Sequence, residues 1–471
     1  MPATRDDAIE AAAKTYASGR FAAELARRVA QPTESQKPGR EAELLAYLTD
    51  DIAPTVAVLG FSSEVVQNSA PGRGPFLIAT RHEADNLPTV LIYGHGDVVM
   101  GEPQDWRAGL DPWKLTVEGD RWYGRGSADN KGQHTINLMA LADVIAVREG
   151  RLGFNVKLLI EMGEEAGSPG LHQLACTHAD KLQADVLIAS DGPRLSAERP
   201  TVFLGSRGAL NFTLSIKLRD GGHHSGNWGG LLANPGTILA NAIAALVDHR
   251  GRILLDALKP PAIPASVRRA LEDVKVGGGP TDPAIDRDWG EPGLTPEERV
   301  FGWNTLEVLA FVTGNPAAPL NAIPSQAQAT LQLRYVVGTD IQNVVPAIRR
   351  YLADRGFKDV EVQYARDETF AATRLDPDDP WVTWALASIA RTTGRKPALL
   401  PNLGGSLPND VFSEILGLPT IWVPHSYGAC GQHAPNEHVL GSLSEEALKI
   451  MAGLFFDLGE DGVQILRSRP R

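Results

Sequence analysis

The sequence predicts an α/β protein. A mostly parallel sheet, covered by helices on both faces, is interrupted by an inserted α+β domain. Three observations predict this. Buried-looking apolar runs alternate with helical segments up to about residue 205, the rhythm changes between 206 and 370, and the first rhythm returns from 371 to 471. A chain of 471 residues is long enough for two or three domains. Residues 1–205 and 371–471 are therefore read as two parts of one domain, with 206–370 inserted between them.

Helical spacing fills roughly the first 50 residues, up to "EAELLAYLTDDI". The runs "TVAVLGF", "FLIATR" and "TVLIYGHGD" read as strands, and "KGQHTINLMALADVIAVRE" as a long helix. "LLIEMGEE" reads as a further strand. "SPGLHQLACTHADKL" reads as a helix, with Ser168 as N-cap and Pro169 in the first turn. "ADVLIASDGP" is another buried strand. From Gly205 onward "RGALNFTLSIKLRD" alternates like a strand with one exposed face, and the helix "NPGTILANAIAALVDHRG" follows. Beyond a Pro/Gly-rich stretch come the strands "LEVLAFVTG" and "QAQATLQLRYVV", the helix "IQNVVPAIRRYLADRG" and the strand "DVEVQY". The helix "WVTWALASIARTTG" and the strand "PTIWVPHS" resume the first pattern.

The net charge of −12 disfavours nucleic acid and anionic membrane surfaces as partners. Two cysteines cannot build a disulfide framework or a Cys-based zinc site, so reduced thiols and a cytoplasmic location are expected. No apolar run approaches the length of a membrane span.

In open α/β sheets ligands sit outside the carboxyl ends of the strands. Those ends carry His95 and Asp97, Glu164 and Glu165, and Asp191; Asp129 precedes a helix and His433 lies on a late loop. Packed together without a cation, these carboxylates would repel and desolvate one another. Divalent metal explains them economically. Imidazole and carboxylate donors suit zinc, with cobalt or manganese as alternatives. The donors exceed the needs of one zinc, which points to two ions sharing a carboxylate. His-x-Asp places both side chains on one side of an extended segment, so Asp97 can orient His95. Adjacent glutamates point different ways, so one can bind metal while the other acts as general base.

The stretches "YGHGDVV", "GRGSADNKGQ", "EMGEEAGSPG", "ASDGP" and "GQHAPNEH" resemble, in order, those of the zinc-dependent exopeptidase and deacylase family. That family includes carboxypeptidase G, aminoacylase, succinyl-diaminopimelate desuccinylase and the carnosine-type dipeptidases. The resemblance implies a catalytic domain carrying a lid and dimerisation domain, the latter at 206–370. It implies one zinc held by His95, Asp129 and Asp191, and a second held by Asp129, Glu165 and His433. Glu164 becomes the base that deprotonates the attacking water and later protonates the leaving amine. Asp97 orients His95, and the Asp129–Asn130 peptide is expected to be cis. In the lid, His224 rather than His223 matches the histidine that stabilises the oxyanion, often from the partner subunit. Asn321 and Arg334, with Gly405 and Ser406 of "NLGGSLPND", are implied to bind substrate. Lid closure would hinge near Gly205–Gly208 and near residues 365–375. Carnosine-type dipeptidases carry Arg-Glu before the Gly-Gly-Ser loop, where this chain has Pro401, Asn402 and Leu403. Residues 277–303 match no useful pattern.

The expected activity is hydrolysis of an amide bond in a small peptide or N-acyl amino acid by a homodimer. An enzyme of the same fold acting on ureido or carbamoyl substrates is the alternative, followed by a non-catalytic metal- or peptide-binding protein.

Overall fold

The computed structural model describes residues 3–277, 283–365 and 370–468. Residues 278–282, within the unmatched segment, and 366–369, within one expected hinge, lie outside the described residues. The chain divides into two compact units. The first comprises 1–205, 375–401 and 408–471; the second comprises 206–374 and 402–407.

In chain order the strands of the two main sheets are β1 (Ser62–Val66), β2 (Phe76–Arg81), β3 (Thr89–His95), β4 (Asn155–Glu161), β5 (Val186–Ala189), β6 (Thr201–Phe203), β7 (Gly208–Lys217), β8 (Thr305–Thr313), β9 (Gln326–Tyr335), β10 (Glu361–Tyr364), β11 (Ala398–Leu400) and β12 (Thr420–Trp422). The first unit holds an eight-stranded sheet in the order β1-β2-β4-β3-β5-β12-β6-β11. Its centre, β4-β3-β5-β12, is parallel, while β1, β2 and β4 pair antiparallel at one edge. β12 and β6 also meet antiparallel, so the sheet is mixed. The central strands are buried along almost their whole length, which is why they read as continuous apolar runs.

Helices α1 (Arg5–Ala17), α2 (Arg20–Val29), α3 (Lys131–Val147), α4 (Leu171–Thr177), α5 (Pro235–Leu246), α6 (Ile341–Asp354), α7 (Pro380–Thr393) and α8 (Gly441–Ser468) accompany the sheets. Side chains from α1, α2, α3, α7 and α8 share one core with β2, β3, β4 and β5. On the sheet, Phe203 stacks on Trp422 with ring centroids 5.7 Å apart. Each such buried side chain contributes about 1.5–3 kcal/mol relative to exposure.

The second unit is an antiparallel sheet in the order β8-β9-β7-β10, with α5 and α6 sharing its core. β7 and β9 alternate buried and less buried positions, the pattern of a sheet covered on one face.

Three expectations are corrected. "TVAVLGF" is no strand: Ala53–Val58 is helical, continuing a π-helical turn at Tyr47–Ile52. Its β-branched residues favour a strand, yet Val56 is buried while Val58 is exposed, so packing outweighs propensity. Ser168 does not cap the helix that follows it. That helix starts at Leu171 behind Gly170, and the Ser168 hydroxyl donates to Glu161 Oε1 at 3.0 Å. Asn402–Leu407 joins the second unit, where Leu403 bridges Ser206, the Arg207 N–H donates to the Leu403 carbonyl at 3.1 Å, and the Ser406 hydroxyl donates to the Arg207 carbonyl at 2.8 Å.

Candidate metal centre

Strands β3, β4 and β5 run parallel and end side by side, so their last residues and following turns meet at one edge. His95 closes β3. Asp97 follows two residues later, after Gly96. The turn after β4 carries Glu164 and Glu165 as a short 3-10 helix, and Asp191 follows β5. Asp129 lies two residues before α3, next to its N-cap Asn130, and the Asp129–Asn130 peptide is cis. Only glycine fits at 132, where a Cβ would lie 2.0 Å from the Ser127 carbonyl oxygen. His433 sits on the loop before α8 with φ of +60°, in the left-handed region.

These residues form two groups, His95 with Asp129 and Asp191, and Asp129 with Glu165 and His433. Within each group the potential ligand atoms lie within 4.8 Å of one another. Asp129 serves both. Its Oδ1 is 3.0 Å from His95 Nε2, and its Oδ2 is 3.0 Å from His433 Nε2. His95 Nε2 also lies 3.6 Å from Asp191 Oδ2, and His433 Nε2 lies 3.1 Å from Glu165 Oε2.

The donor set fits cations. His95 is wholly buried, and both of its nitrogens face acceptors: Nδ1 is 3.1 Å from the Asp97 carbonyl and Nε2 is 3.0 Å from Asp129. A neutral imidazole that donates from Nδ1 turns its Nε2 lone pair toward two carboxylates, an arrangement suited to a metal between them. Asp191 Oδ2 is buried without a hydrogen-bond partner. Five carboxyl groups (Asp97, Asp129, Glu164, Glu165 and Asp191) surround two imidazoles.

The electrostatics agree. Burial opposes the charge on His95, yet the carboxylates of Asp129, Asp191 and Asp97 hold it well above the ordinary histidine range. Hydrogen bonds to Asp129 and Glu165 raise His433 to about 11. Burial pushes the Glu164 carboxyl well above the usual range, reinforced by the charges of Glu165, Asp191 and Asp129. Burial and then Asp129 raise Glu165 to about 7.

Asp97 does more than neighbour His95. Its Oδ1 accepts the Glu164 N–H at 3.2 Å, and its Oδ2 accepts the Glu165 N–H at 3.1 Å and the Ser35 hydroxyl at 2.6 Å. Ser35 escaped the sequence reading; nothing in "TESQK" signals a partner 62 residues away. Gln432, beside His433, donates its amide to Asp129 Oδ2 and was also missed. His425 is buried with Nε2 3.1 Å from the Ser190 hydroxyl, next to Asp191 but outside both groups.

The remaining residues singled out in the sequence belong to the second unit. His224 is exposed and pairs across a short ladder with Ala322. Its Nδ1 accepts the Gly226 N–H at 3.0 Å, which places the proton of the neutral ring on Nε2. The neighbouring Asn321 carbonyl accepts the Ser225 N–H at 2.9 Å and hydroxyl at 3.0 Å, so His224 and Asn321 are brought together. Arg334 donates from Nη1 to the Ser406 hydroxyl at 2.9 Å and from Nε to Gln332 at 2.9 Å. Gly405 accepts the Arg207 N–H through its carbonyl at 3.2 Å.

The profile of Peptidase family M20/M25/M40 matches residues 91–458. A human β-Ala-His dipeptidase is 26% identical over 411 residues, covering 82% of this chain and 78% of its own. A cysteinylglycine-S-conjugate dipeptidase of Corynebacterium striatum is 26% identical over 344 residues, covering 70% and 72%. Among solved structures, an M20 family metallo-carboxypeptidase from Sulfolobus solfataricus superposes with a TM-score of 0.76 at 25% identity, covering 93% of this chain and 98% of its own. The match spans the strand ends, the Asp129 loop and the His433 loop that form both groups, and with it the chain belongs to Peptidase family M20/M25/M40 as a metal-dependent hydrolase of amide bonds.

Proposed function

We propose that the protein is a di-zinc exopeptidase that cleaves one amide bond in a small peptide or N-acyl amino acid, acting as a cytoplasmic homodimer. The observation that carries this is the division of Asp129, one oxygen toward His95 and the other toward His433. That is what a carboxylate bridging two ions requires. His95, Asp129 and Asp191 would hold one zinc; Asp129, Glu165 and His433 would hold the other. Nitrogen and oxygen donors without thiolate suit zinc.

When bound, the metal pair supplies positive charge that makes a water acidic near neutral pH and polarises the scissile carbonyl. Glu164 removes a proton from the attacking water at its carboxylate and returns it to the departing amine nitrogen. Asp97 fixes the His95 ring and the turn that carries Glu164. His224 offers its Nε2–H to the oxygen that gains negative charge. Arg334, Asn321, Gly405 and Ser406 bind the substrate; guanidinium, hydroxyl and backbone groups suit its carboxylate end. The names of the human and Corynebacterium relatives support a short peptide as substrate.

Association through the inserted domain is supported by β8. It is an edge strand, and Val308, Leu309, Phe311 and Val312 on it are exposed. A reducing compartment is supported by Cys176 and Cys430, both free thiols. Among the described residues no helix is long and apolar enough to cross a membrane.

Replacing the base tests the mechanism. Glu164→Gln should keep two equivalents of metal and lose activity by about 10²–10⁴-fold. Near-normal turnover in that variant would contradict it.

A further inference from the structure

We infer that Glu437 is the positioning residue of the metal centre, a buried carboxylate that locks the Asp129 loop to the His433 loop. The inference rests on the metal assignment above. Glu437 lies four residues after His433, yet none of the proposed chemistry uses it. It is wholly enclosed, with its side chain 1% exposed.

Its position follows from a short ladder. His438–Leu440 pairs antiparallel with Arg121–Tyr123, which aligns the loop leading into one strand with the loop leaving the other. The Gly124 N–H then donates to the Glu437 carbonyl at 3.0 Å. The Glu437 carboxylate turns into the loop beyond. Its Oε2 accepts Arg125 Nη1 at 2.9 Å and the Gly126 N–H at 3.0 Å. Its Oε1 accepts the Ala128 N–H at 2.9 Å and the Asp129 N–H at 3.0 Å. Gly126 takes φ of +82°, which turns the chain around the carboxylate.

Four donors converge on two oxygens, and an ionised carboxylate is the side chain that can accept them all. Through the Asp129 N–H the clamp sets the backbone from which both oxygens of the shared aspartate are aimed. Glu437 therefore governs both metal positions together, whereas Asp191 or Glu165 governs one. An amide at 437 would turn an NH₂ group toward one pair of these donors, donor against donor, in a site without water access.

The test is zinc binding by the full-length chain, titrated against a chromophoric chelator, with urea unfolding of the metal-free protein alongside. The wild type should bind two equivalents. Glu437→Gln should weaken both by about 10–100-fold, the range for residues that orient metal ligands. It should also alter the visible absorption of the cobalt-loaded protein. Glu437→Asp, which keeps the charge, should recover part of the affinity, and is read alone if Glu437→Gln does not fold. Asp457→Asn is the control. Asp457 is a buried carboxylate in α8 held by Arg5, Arg391 and Ser388, and its loss should lower stability while leaving zinc affinity and the cobalt spectrum unchanged.

Wild-type affinity and spectrum in Glu437→Gln, or in Glu437→Asp where only that variant folds, would overturn the inference and leave the metal assignment standing. Weakening of only one equivalent would also overturn it. A wild-type chain that takes up no zinc would overturn both.

Discussion

The carboxylate of Asp97 holds the backbone of Glu165, accepting its N–H at 3.1 Å through Oδ2. The same group takes the Glu164 N–H and lies 3.5 Å from His95 Nδ1. One buried side chain thus joins the end of β3 to the turn after β4. Asp97→Asn leaves one oxygen for two N–H groups and the Ser35 hydroxyl. Zinc affinity should fall by about 10–100-fold, with activity falling in parallel. Metal titration together with kcat/KM checks this; unchanged affinity would reduce Asp97 to a filler of space.

His224 is exposed and makes no contribution to the cores of either unit. His224→Ala should leave unfolding within about 0.5 kcal/mol of wild type and metal content unchanged. Its kcat should fall by about 10²–10³-fold, the cost of losing one oxyanion donor. Steady-state kinetics with metal analysis decides; a wild-type kcat would remove His224 from the reaction.

A lysine on an exposed edge strand opposes pairing with another strand. Val312→Lys on β8 should convert the proposed homodimer to a monomer at micromolar concentration. Sedimentation velocity reads the outcome. A wild-type chain that already sediments as a monomer would contradict the proposed association.

Asp143 on α3 gives a pH dependence remote from the metal centre. Burial raises its carboxyl, against the hydrogen bond from Thr15 at 2.8 Å and the charge of Arg20. Its Oδ2 is buried without a partner. The folded state keeps this proton to higher pH than the unfolded state does. The favourable contribution is therefore complete below about pH 3.9, the unfolded value, and is lost as pH rises through the raised folded value. Asp143→Asn should raise stability at pH 7 by about 1 kcal/mol and change it little at pH 3.5. Urea midpoints at the two pH values give the comparison.

The grouping of these side chains is legible in the sequence because its signals are local. His95, the two glutamates and Asp191 each end or follow an apolar run, and parallel strands bring such ends together whatever the loops do. The clamps were not legible. Ser35 reaches Asp97 across 62 residues, and Glu437 reaches Asp129 across 308. Nothing in "GRGSADNKGQ" shows that the N–H groups of Gly126, Ala128 and Asp129 are met by a distant carboxylate. The helix at Ala53–Val58 was misread for a related reason, since a β-branched run yields to the packing of the helix it continues. The second unit's hold on Asn402–Leu407 comes from the Arg207 N–H, shared by the Leu403 and Gly405 carbonyls, and from the Ser406 hydroxyl on the Arg207 carbonyl, contacts that no periodicity announces.

The central claim is that Asp129 stands between two cations. Anomalous X-ray scattering from crystals of the zinc-loaded protein tests it most directly, with data on both sides of the zinc absorption edge. Two peaks are expected, one enclosed by His95, Asp129 and Asp191 and the other by Asp129, Glu165 and His433. A single peak, or peaks away from Asp129, would contradict the account.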